Sequence, residues 1–237
     1  MTNQYFKFKQ FTINQNNCAM KVGTDGVLIG AWVDCEGSTK ILDIGAGTGL
    51  ISLMMAQRSK AVIDAIEIDN NSFFQAKENI LNSDWENRIN IFNISFQNFQ
   101  KNKSNIYDLI VTNPPYFINS LKANTPERTN ARHNNLLTHS ELLSGVDCLL
   151  TKEGVFCLIL PYEQTQNFIK LANNYGLYCN KILKVKPTLN KEPKRALIEL
   201  RREKIKYEEN VLIIEKDKRH DYTKEYKELT KDYYLAF

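Results

Sequence analysis

Short apolar stretches alternate along the chain with segments whose apolar residues recur at helical spacing. The apolar stretches are Lys40–Ile44, Val62–Ile68, Ile106–Thr112 and Val155–Leu160, with a weaker one at Asn90–Ile94. The predicted helices are Leu50–Arg58, Asn70–Asn82, His139–Leu150 and Glu163–Tyr175. Strands that alternate with helices favour right-handed crossovers and a parallel sheet. The pattern therefore predicts an α/β fold.

The C-terminal part has a different pattern. Cys179–Val185 and Arg195–Arg201 are β-rich, and the polar segment between them contains two prolines, which predicts an antiparallel pair at the edge of the sheet. The tail Lys204–Phe237 contains an apolar strand, Val211–Ile214, and a short predicted helix. That helix is expected to contain Tyr226, Leu229, Tyr233 and Tyr234.

Composition narrows the class of protein only modestly. Of 237 residues, 43% are hydrophobic and 24% charged, which excludes collagen-like and wholly disordered chains. No apolar run approaches the roughly 20 residues of a membrane span. The five cysteines form no CxxC pair, which argues against a disulfide framework or a cysteine-based zinc site. We expect a cytoplasmic protein, monomeric, with no metal and no membrane partner.

Three glycines follow the first predicted strand at alternate positions. Gly45, Gly47 and Gly49 let the backbone turn sharply and approach a ligand closely. The spacing differs from the GxGxxG of dinucleotide-binding proteins, and no GK[ST] follows as in a P-loop. The ligand therefore need not be a phosphate. An S-adenosylmethionine (SAM) site fits, with these glycines and Asp43 among its candidate residues.

The second predicted strand ends in acidic residues. Glu67 or Asp69 can accept hydrogen bonds from both ribose hydroxyls, as the acidic residue of Rossmann-type folds does. Glu67 is the first choice and Asp69 the alternative. A tight turn followed by a solvated acidic loop would give the same residues, but the order of strand, glycines and acidic tip favours a cofactor site.

The tetrapeptide Asn113-Pro-Pro-Tyr116 follows the strand Ile106–Thr112. The Asn113 side-chain carbonyl and the Pro114 backbone carbonyl can accept both hydrogens of a planar NH₂ group. Pro115 stiffens the chain and removes a donor, and Tyr116 offers a flat face for stacking a base. Two acceptors orient an exocyclic adenine amine and stabilise its developing positive charge, without a strong base or a metal. An isolated turn with a packing tyrosine is the structural alternative.

At this point the residues resemble the class I SAM-dependent methyltransferases that act on amino groups. The resemblance implies a seven-stranded sheet of order 3-2-1-4-5-7-6 with strand 7 antiparallel. A narrower resemblance, to the bacterial tRNA1(Val) adenine-N6 methyltransferases, is carried by four segments. They are Phe8–Ile13, Cys18–Trp32, Pro193–Leu200 and Leu229–Leu235. Those enzymes modify adenosine 37, next to the anticodon, so the resemblance implies a tRNA anticodon stem-loop as substrate.

The same resemblance assigns further residues. Lys21, Thr24 and Asp25 would close over the cofactor, although the stretch equally fits the start of an apolar helix, Val27–Trp32. Asn113 would also contact the cofactor. Relatives place an Asp after the third strand to bind the cofactor's adenine. This chain has Asn93–Asn98 there, which leaves Ser95 or a backbone group for that contact. We expect residues 1–38 to close over the cofactor, 39–203 to form the methyltransferase core, and 204–237 to pack on it as part of one domain.

The basic residues are unevenly distributed, because Lys181–Arg219 holds 13 basic residues against 7 acidic ones. The polar segment Asn119–Asn135 is a long loop whose basic side chains follow the tetrapeptide directly. We expect RNA contacts from both regions. The candidate RNA-binding residues are Lys122, Arg128, Arg132, His133, Lys194 and Arg195. Lys191, Arg201 and Arg202 are further possibilities, but strand alternation puts Arg201 and Arg202 on opposite faces, so not all of them can serve.

Three other functions fit part of the pattern. A protein-glutamine methyltransferase also uses this tetrapeptide, but its helical domain has little room in the roughly 40 residues before the first strand. An rRNA guanine-N2 methyltransferase often carries a duplicated domain, for which the chain is too short. The third is a non-catalytic module that binds SAM or RNA, and the intact tetrapeptide argues against it.

Overall fold

The computed structural model describes residues 4–16, 18, 20–114 and 137–237. The described strands are β1 Tyr5–Lys7, β2 Thr12–Asn14, β3 Lys40–Ile44, β4 Val62–Glu67, β5 Ile89–Asn93, β6 Tyr107–Thr112, β7 Leu150–Pro161, β8 Tyr178–Thr188, β9 Arg195–Arg201 and β10 Glu208–Glu215. The helices are α1 Thr24–Trp32, α2 Leu50–Arg58, α3 Asn70–Leu81, α4 Phe96–Phe99, α5 His139–Leu149, α6 Thr165–Asn173 and α7 Lys224–Thr230. Single 3₁₀ turns lie at Glu86–Arg88 and Tyr162–Gln164.

The central sheet has the order β10-β8-β9-β7-β6-β3-β4-β5. Strand β9 is antiparallel to β7 and β8, whereas the other neighbouring pairs are parallel. The α/β fold and the strand order 3-2-1-4-5-7-6 are therefore confirmed. Because β8 and β10 run in the same direction as β3, β4 and β6, all five end at one edge of the sheet. We call this the carboxyl edge.

The prediction of seven strands is wrong, because β10 adds an eighth. The sequence predicts a strand at Val211–Ile214 but does not indicate that this strand pairs with β8. Without β10, the strand β8 would present a row of unpaired backbone groups at the edge of the sheet. The tail covers that row by pairing parallel to β8 from Glu208↔Lys181 to Glu215↔Thr188.

Two hydrophobic layers cover the sheet. One contains α1, α2, α3 and the C-terminal segment, and the other contains α4, α5 and α6. Helix α5 begins with a capping box, in which the side chains of Thr138 and Glu141 each accept a hydrogen bond from the other residue's backbone amide. Among the described residues, no helix combines the length and the apolar character needed to cross a membrane.

The C-terminal segment packs against the beginning of the chain. The prediction that its helix contains Tyr233 and Tyr234 is wrong, since α7 ends at Thr230 and both tyrosines follow in a turn. Tyr233 is nevertheless buried, and its hydroxyl donates to the Met54 carbonyl over 3.2 Å. The Lys9 amide donates to the Tyr233 carbonyl over 2.9 Å, so the two terminal segments are joined.

Candidate active site

The glycine loop links β3 to α2 and faces open space. Gly45, Gly47 and Gly49 have φ angles of +76°, +56° and +82°, which side chains adopt only with strain. A Cβ atom placed on Gly45 or Gly47 would meet no described atom within 4 Å. Side chains there would instead fill the space in front of the loop. The loop is therefore shaped to let a ligand approach the backbone.

Glu67 lies at the end of β4 and is hydrogen-bonded to the loop. Its Oε2 accepts from the Gly47 amide and its Oε1 from the Asp69 amide, both over 2.8 Å. Each carboxylate oxygen can accept a second hydrogen bond, which leaves acceptor capacity for ribose hydroxyls. The loop is also held by the amides of Gly45 and Ala46, which both donate to the Ile66 carbonyl.

Asp69 and Ser95 cap helices. Asp69 is exposed and accepts from the Ser72 amide over 2.8 Å, a hydrogen bond that lowers the pKa of Asp69. Ser95 Oγ accepts from the Asn98 amide over 3.3 Å at the start of α4. The geometry favours Glu67 over Asp69 as the ribose acceptor, because Glu67 is the one bonded to the glycine loop. The adenine contact of Ser95 stays a prediction.

Asp43 is completely buried behind the glycine loop. Ser52 Oγ donates to its Oδ2 over 2.6 Å, while Oδ1 has no hydrogen-bond partner among the described residues. Burial raises the pKa of Asp43 to about 7, and the hydrogen bond from Ser52, which by itself lowers the pKa, offsets only part of this effect. A nearby cation stabilises the ionised form of a carboxyl group, so Asp43 suits a positively charged ligand such as SAM.

Asn113 leaves the sheet directly beside the glycine loop. Its predecessor Thr112 is paired with Ile44, the residue before Gly45, and the buried Thr112 hydroxyl donates to the Ile44 carbonyl over 2.7 Å. This bond ties the ends of β6 and β3 together. Asn113 is half-buried and Pro114 is buried. The glycine loop and the predicted amine acceptors, Asn113 and Pro114, are therefore neighbours at the carboxyl edge.

Several predicted residues lie outside the described part of the chain. They are Pro115 and Tyr116 of the tetrapeptide, and the RNA candidates Lys122, Arg128, Arg132 and His133. Their roles stay predictions.

The N-terminal segment is attached to the glycine loop by a residue that the sequence analysis missed. The buried Asn79 donates through Nδ2 to the carbonyls of Thr48 and Asn14, both over 2.9 Å. Its Oδ1 accepts from the Asn14 amide, also over 2.9 Å. The only available signal was an asparagine on the buried face of an amphipathic helix, which by itself does not indicate a partner.

Lys21, Thr24 and Asp25 occupy the segment that enters α1. Lys21 and Thr24 are exposed, and Thr24 is the first residue of the helix. The Asp25 carboxylate accepts from Arg195 Nε over 2.8 Å. A residue predicted to hold the cofactor is therefore paired with one predicted to hold RNA, which brings the two regions together.

The basic residues of β9 and the segments next to it are divided between the two edges of the sheet. Lys194 and Arg195 lie at the carboxyl edge, where Arg195 pairs with Pro161 at the end of β7. Arg201 and Arg202 lie at the opposite edge, where they form ion pairs with Glu199 and Asp147. Arg201 and Arg202 therefore do not share a surface with Lys194 and Arg195, in agreement with the expectation that not all of these residues can serve.

This fold and this site define a class I SAM-dependent methyltransferase. Residues 23–158 match the family model described as the methyltransferase small domain. A predicted O-methyltransferase of Agrobacterium tumefaciens has a similar structure, with a TM-score of 0.69 and 16% identity over 88% of this chain and 96% of that one. Pyrococcus horikoshii TYW2 in complex with MeSAdo gives a TM-score of 0.59 and 18% identity, over 83% and 70%. At these identities the two structures establish the fold alone.

Sequence relatives are far closer. A protein of Trichodesmium erythraeum named tRNA1(Val) (adenine(37)-N6)-methyltransferase is 48% identical over the whole of both chains. A Flavobacterium psychrophilum protein of the same name is 46% identical over 97% of this chain and 99% of its own. The chain belongs to the family of tRNA1(Val) (adenine(37)-N6)-methyltransferases.

Proposed function

We propose that this protein methylates N6 of adenosine 37 in tRNA1(Val), with SAM as the methyl donor. The observation that carries the proposal is the position of Asn113 beside the glycine loop, held there by the Thr112–Ile44 hydrogen bond. The names of the full-length relatives supply the substrate.

The residues around the glycine loop would bind the cofactor. Gly45 and Gly47 leave the backbone accessible, Glu67 would accept from the ribose hydroxyls, and Asp43 would stabilise positive charge. When bound, SAM supplies an electrophilic methyl carbon whose bond to sulfur breaks as the N6–carbon bond forms, with the electron pair remaining on sulfur. We also propose that residues 1–38 close over this site, through the contacts of Asn79 and Asp25.

The acceptors at the end of β6 would hold the target amine. Asn113 Oδ1 and the Pro114 carbonyl accept the two amine hydrogens and fix the direction in which nitrogen attacks. Both acceptors stabilise positive charge on N6 until one proton leaves to water. Tyr116 would stack against the adenine ring. A base in an anticodon loop is less costly to unstack than one in a duplex, which suits this site.

The experiment uses labelled SAM and, in parallel, tRNA from cells lacking the modification, ribosomal RNA and release factors. Digested tRNA should contain labelled N6-methyladenosine at position 37 of tRNA1(Val). Label that enters only guanosine or protein would refute the proposal in favour of a guanine or glutamine methyltransferase. We further propose that the enzyme acts as a monomer in the cytoplasm. A mass from light scattering that corresponds to a dimer at assay concentration would contradict the first of these.

A further inference from the structure

A cavity of about 600 Å³ lies between the N-terminal hairpin, the C-terminal segment and the ends of β8 and β10. Its walls are aromatic, with Phe6, Tyr222, Tyr226, Tyr234 and Phe237. The cavity is also lined by three exposed basic side chains, those of Lys7, Arg219 and His220. The volume is within the range of sites that bind small organic molecules. None of these eight side chains is assigned a contact with SAM or with the target amine, although Phe6 and Lys7 belong to the segment 1–38 that is proposed to close over the cofactor.

The aromatic rings of the cavity pack against one another and form a platform. The rings of Tyr222 and Tyr226 are stacked with centroids 5.2 Å apart and planes 28° from parallel. Phe237 packs edge-on against Tyr222 at 5.3 Å, and His220 Nδ1 lies 3.2 Å from the Tyr222 hydroxyl. Tyr222 is only partly buried, so part of its ring is accessible to a ligand. Stacking on such a platform accepts any base, because every base has a π-face.

The charges around the cavity favour an anionic ligand. Lys7 and Arg219 are the basic side chains that line it together with His220. Lys218 precedes Arg219 in the same exposed segment, where Asp217 and Asp221 offset its charge. Glu215 is the one acidic side chain among the described residues that line the cavity, but its Oε1 accepts from the His220 backbone amide over 2.8 Å and is thereby held within the turn. An aromatic wall beside exposed cations is the combination that binds single-stranded nucleic acid.

The cavity lies on the same edge of the sheet as Asn113. Pro187 and Ile214 line it, and each is the residue before the last one of its strand, β8 or β10. Both strands end at the carboxyl edge. Thr24 also lines it, and the next residue, Asp25, binds Arg195 at the start of β9. Strands β8 and β10 are three and four places from β6, so at about 4.8 Å per strand the cavity is roughly 14–19 Å from the end of β6. A few nucleotides of a single-stranded loop cover such a distance.

We propose that this cavity binds a second nucleotide of the tRNA, outside the adenosine that is methylated. Its base stacks on Tyr222, and its phosphate is paired by Lys7 and Arg219. This inference rests on the proposed function, because it requires an RNA substrate at the carboxyl edge. The cavity would thereby orient the anticodon loop while the target adenine enters the site at Asn113.

The first test replaces the two exposed cations of the cavity, Lys7 and Arg219, which we call the rim cations. The variants Lys7→Gln and Arg219→Gln are made singly and together. The matched control is Lys60→Gln, an exposed lysine that precedes β4 at the opposite edge. The KM for tRNA should rise about tenfold in the double variant, while the Kd for SAM stays within twofold. Each lost phosphate contact should also make the dependence of log Kd on log salt shallower by about 0.7. Lys60→Gln should change neither quantity.

The second test addresses the aromatic wall. Tyr222→Leu keeps the apolar contact with Tyr226 but removes the flat face, whereas Tyr222→Phe keeps the face and loses the hydroxyl. Only Tyr222→Leu should raise the KM for tRNA. Short-wavelength cross-linking of wild-type protein to unmodified tRNA1(Val) should label the tryptic peptide His220–Lys224, which contains Tyr222. The cross-link requires no variant and so is independent of any effect on folding.

The outcomes separate this inference from the proposed function. If the wild-type protein methylates tRNA but the rim variants behave like Lys60→Gln and the cross-link falls elsewhere, the cavity does not bind RNA. If the wild-type protein methylates no tRNA, the proposed function is wrong, and with it the RNA ligand of this cavity. A raised KM in the rim variants with the cross-link at Tyr222 would establish the site.

Discussion

Relative to wild type, the variant Asp43→Asn should have a free energy of unfolding that increases as the pH rises from 5 to 8. The substitution keeps the size of the side chain and an oxygen that can accept from Ser52, but removes the ionisable group. In the native protein burial raises the pKa of Asp43 to about 7, whereas the unfolded chain has the ordinary value near 3.8. Between these two values the native state holds a proton that the unfolded state has released. Stability therefore falls as pH rises through this range.

The magnitude follows from the pKa difference. One pKa unit corresponds to about 1.36 kcal/mol, so the difference of about three units corresponds to about 4 kcal/mol over the full range. From pH 5 to pH 8 the native carboxyl group loses its proton while the unfolded one is already ionised. That interval covers about two of the three units, or about 3 kcal/mol. Any constant penalty for burying the amide shifts the whole curve without changing its slope.

The assay is urea unfolding of the SAM-free protein at several pH values from 5 to 8. The free energy of unfolding of Asp43→Asn, relative to wild type, should rise by about 3 kcal/mol across the series. Asp84→Asn, at an exposed carboxyl group, is the control and should show no such trend. A difference between Asp43→Asn and wild type that is independent of pH would show that Asp43 is ionised throughout, and would refute the argument from burial.

Three further substitutions test the site. Asn113→Ala should reduce the rate of methyl transfer about 100-fold in single-turnover kinetics, with little effect on the Kd for SAM measured by calorimetry. An equal loss of SAM binding would show instead that Asn113 maintains the structure of the site. Glu67→Ala should weaken SAM binding about tenfold or more, whereas Asp69→Ala should only destabilise α3 by about 1 kcal/mol; the reverse result would assign the ribose to Asp69. Thr112→Val should lower the free energy of unfolding by about 1–3 kcal/mol in a urea titration, because the Ile44 carbonyl loses its partner; no change would show that the bond is dispensable.

Much of the fold could be predicted because its signals are local. The apolar stretches of β3, β4 and β6 and the glycines after β3 are contiguous in the sequence, and alternation with helices limits the topology to a few possibilities. The tetrapeptide that begins at Asn113 is equally local, and its position after a strand indicated the place of Asn113 beside the glycine loop, whereas its chemistry stays a prediction. A resemblance to known methyltransferases supplied the order of the remaining strands.

Other features depend on contacts between residues far apart in the chain. Whether Glu67 or Asp69 faces the glycine loop depends on the turn after β4, where one carboxylate bonds to Gly47 and the other caps α3. The pairing of Arg195 with Asp25 spans 170 residues and has no local signal. The raised pKa of Asp43 is also a tertiary property, because it arises from complete burial and not from the identity of its neighbours in sequence.

The two ends of the chain also show which features the sequence predicts and which depend on tertiary contacts. The sequence alone indicated aromatic residues near both termini and a short strand at Val211–Ile214. Only the tertiary structure placed that strand beside β8 and brought Phe6 to Tyr234, with ring centroids 6.0 Å apart. Composition and spacing determine which residues can stack, pair or bind, since those capacities belong to the side chains themselves. Which of them meet is decided by how the sheet and its two hydrophobic layers pack.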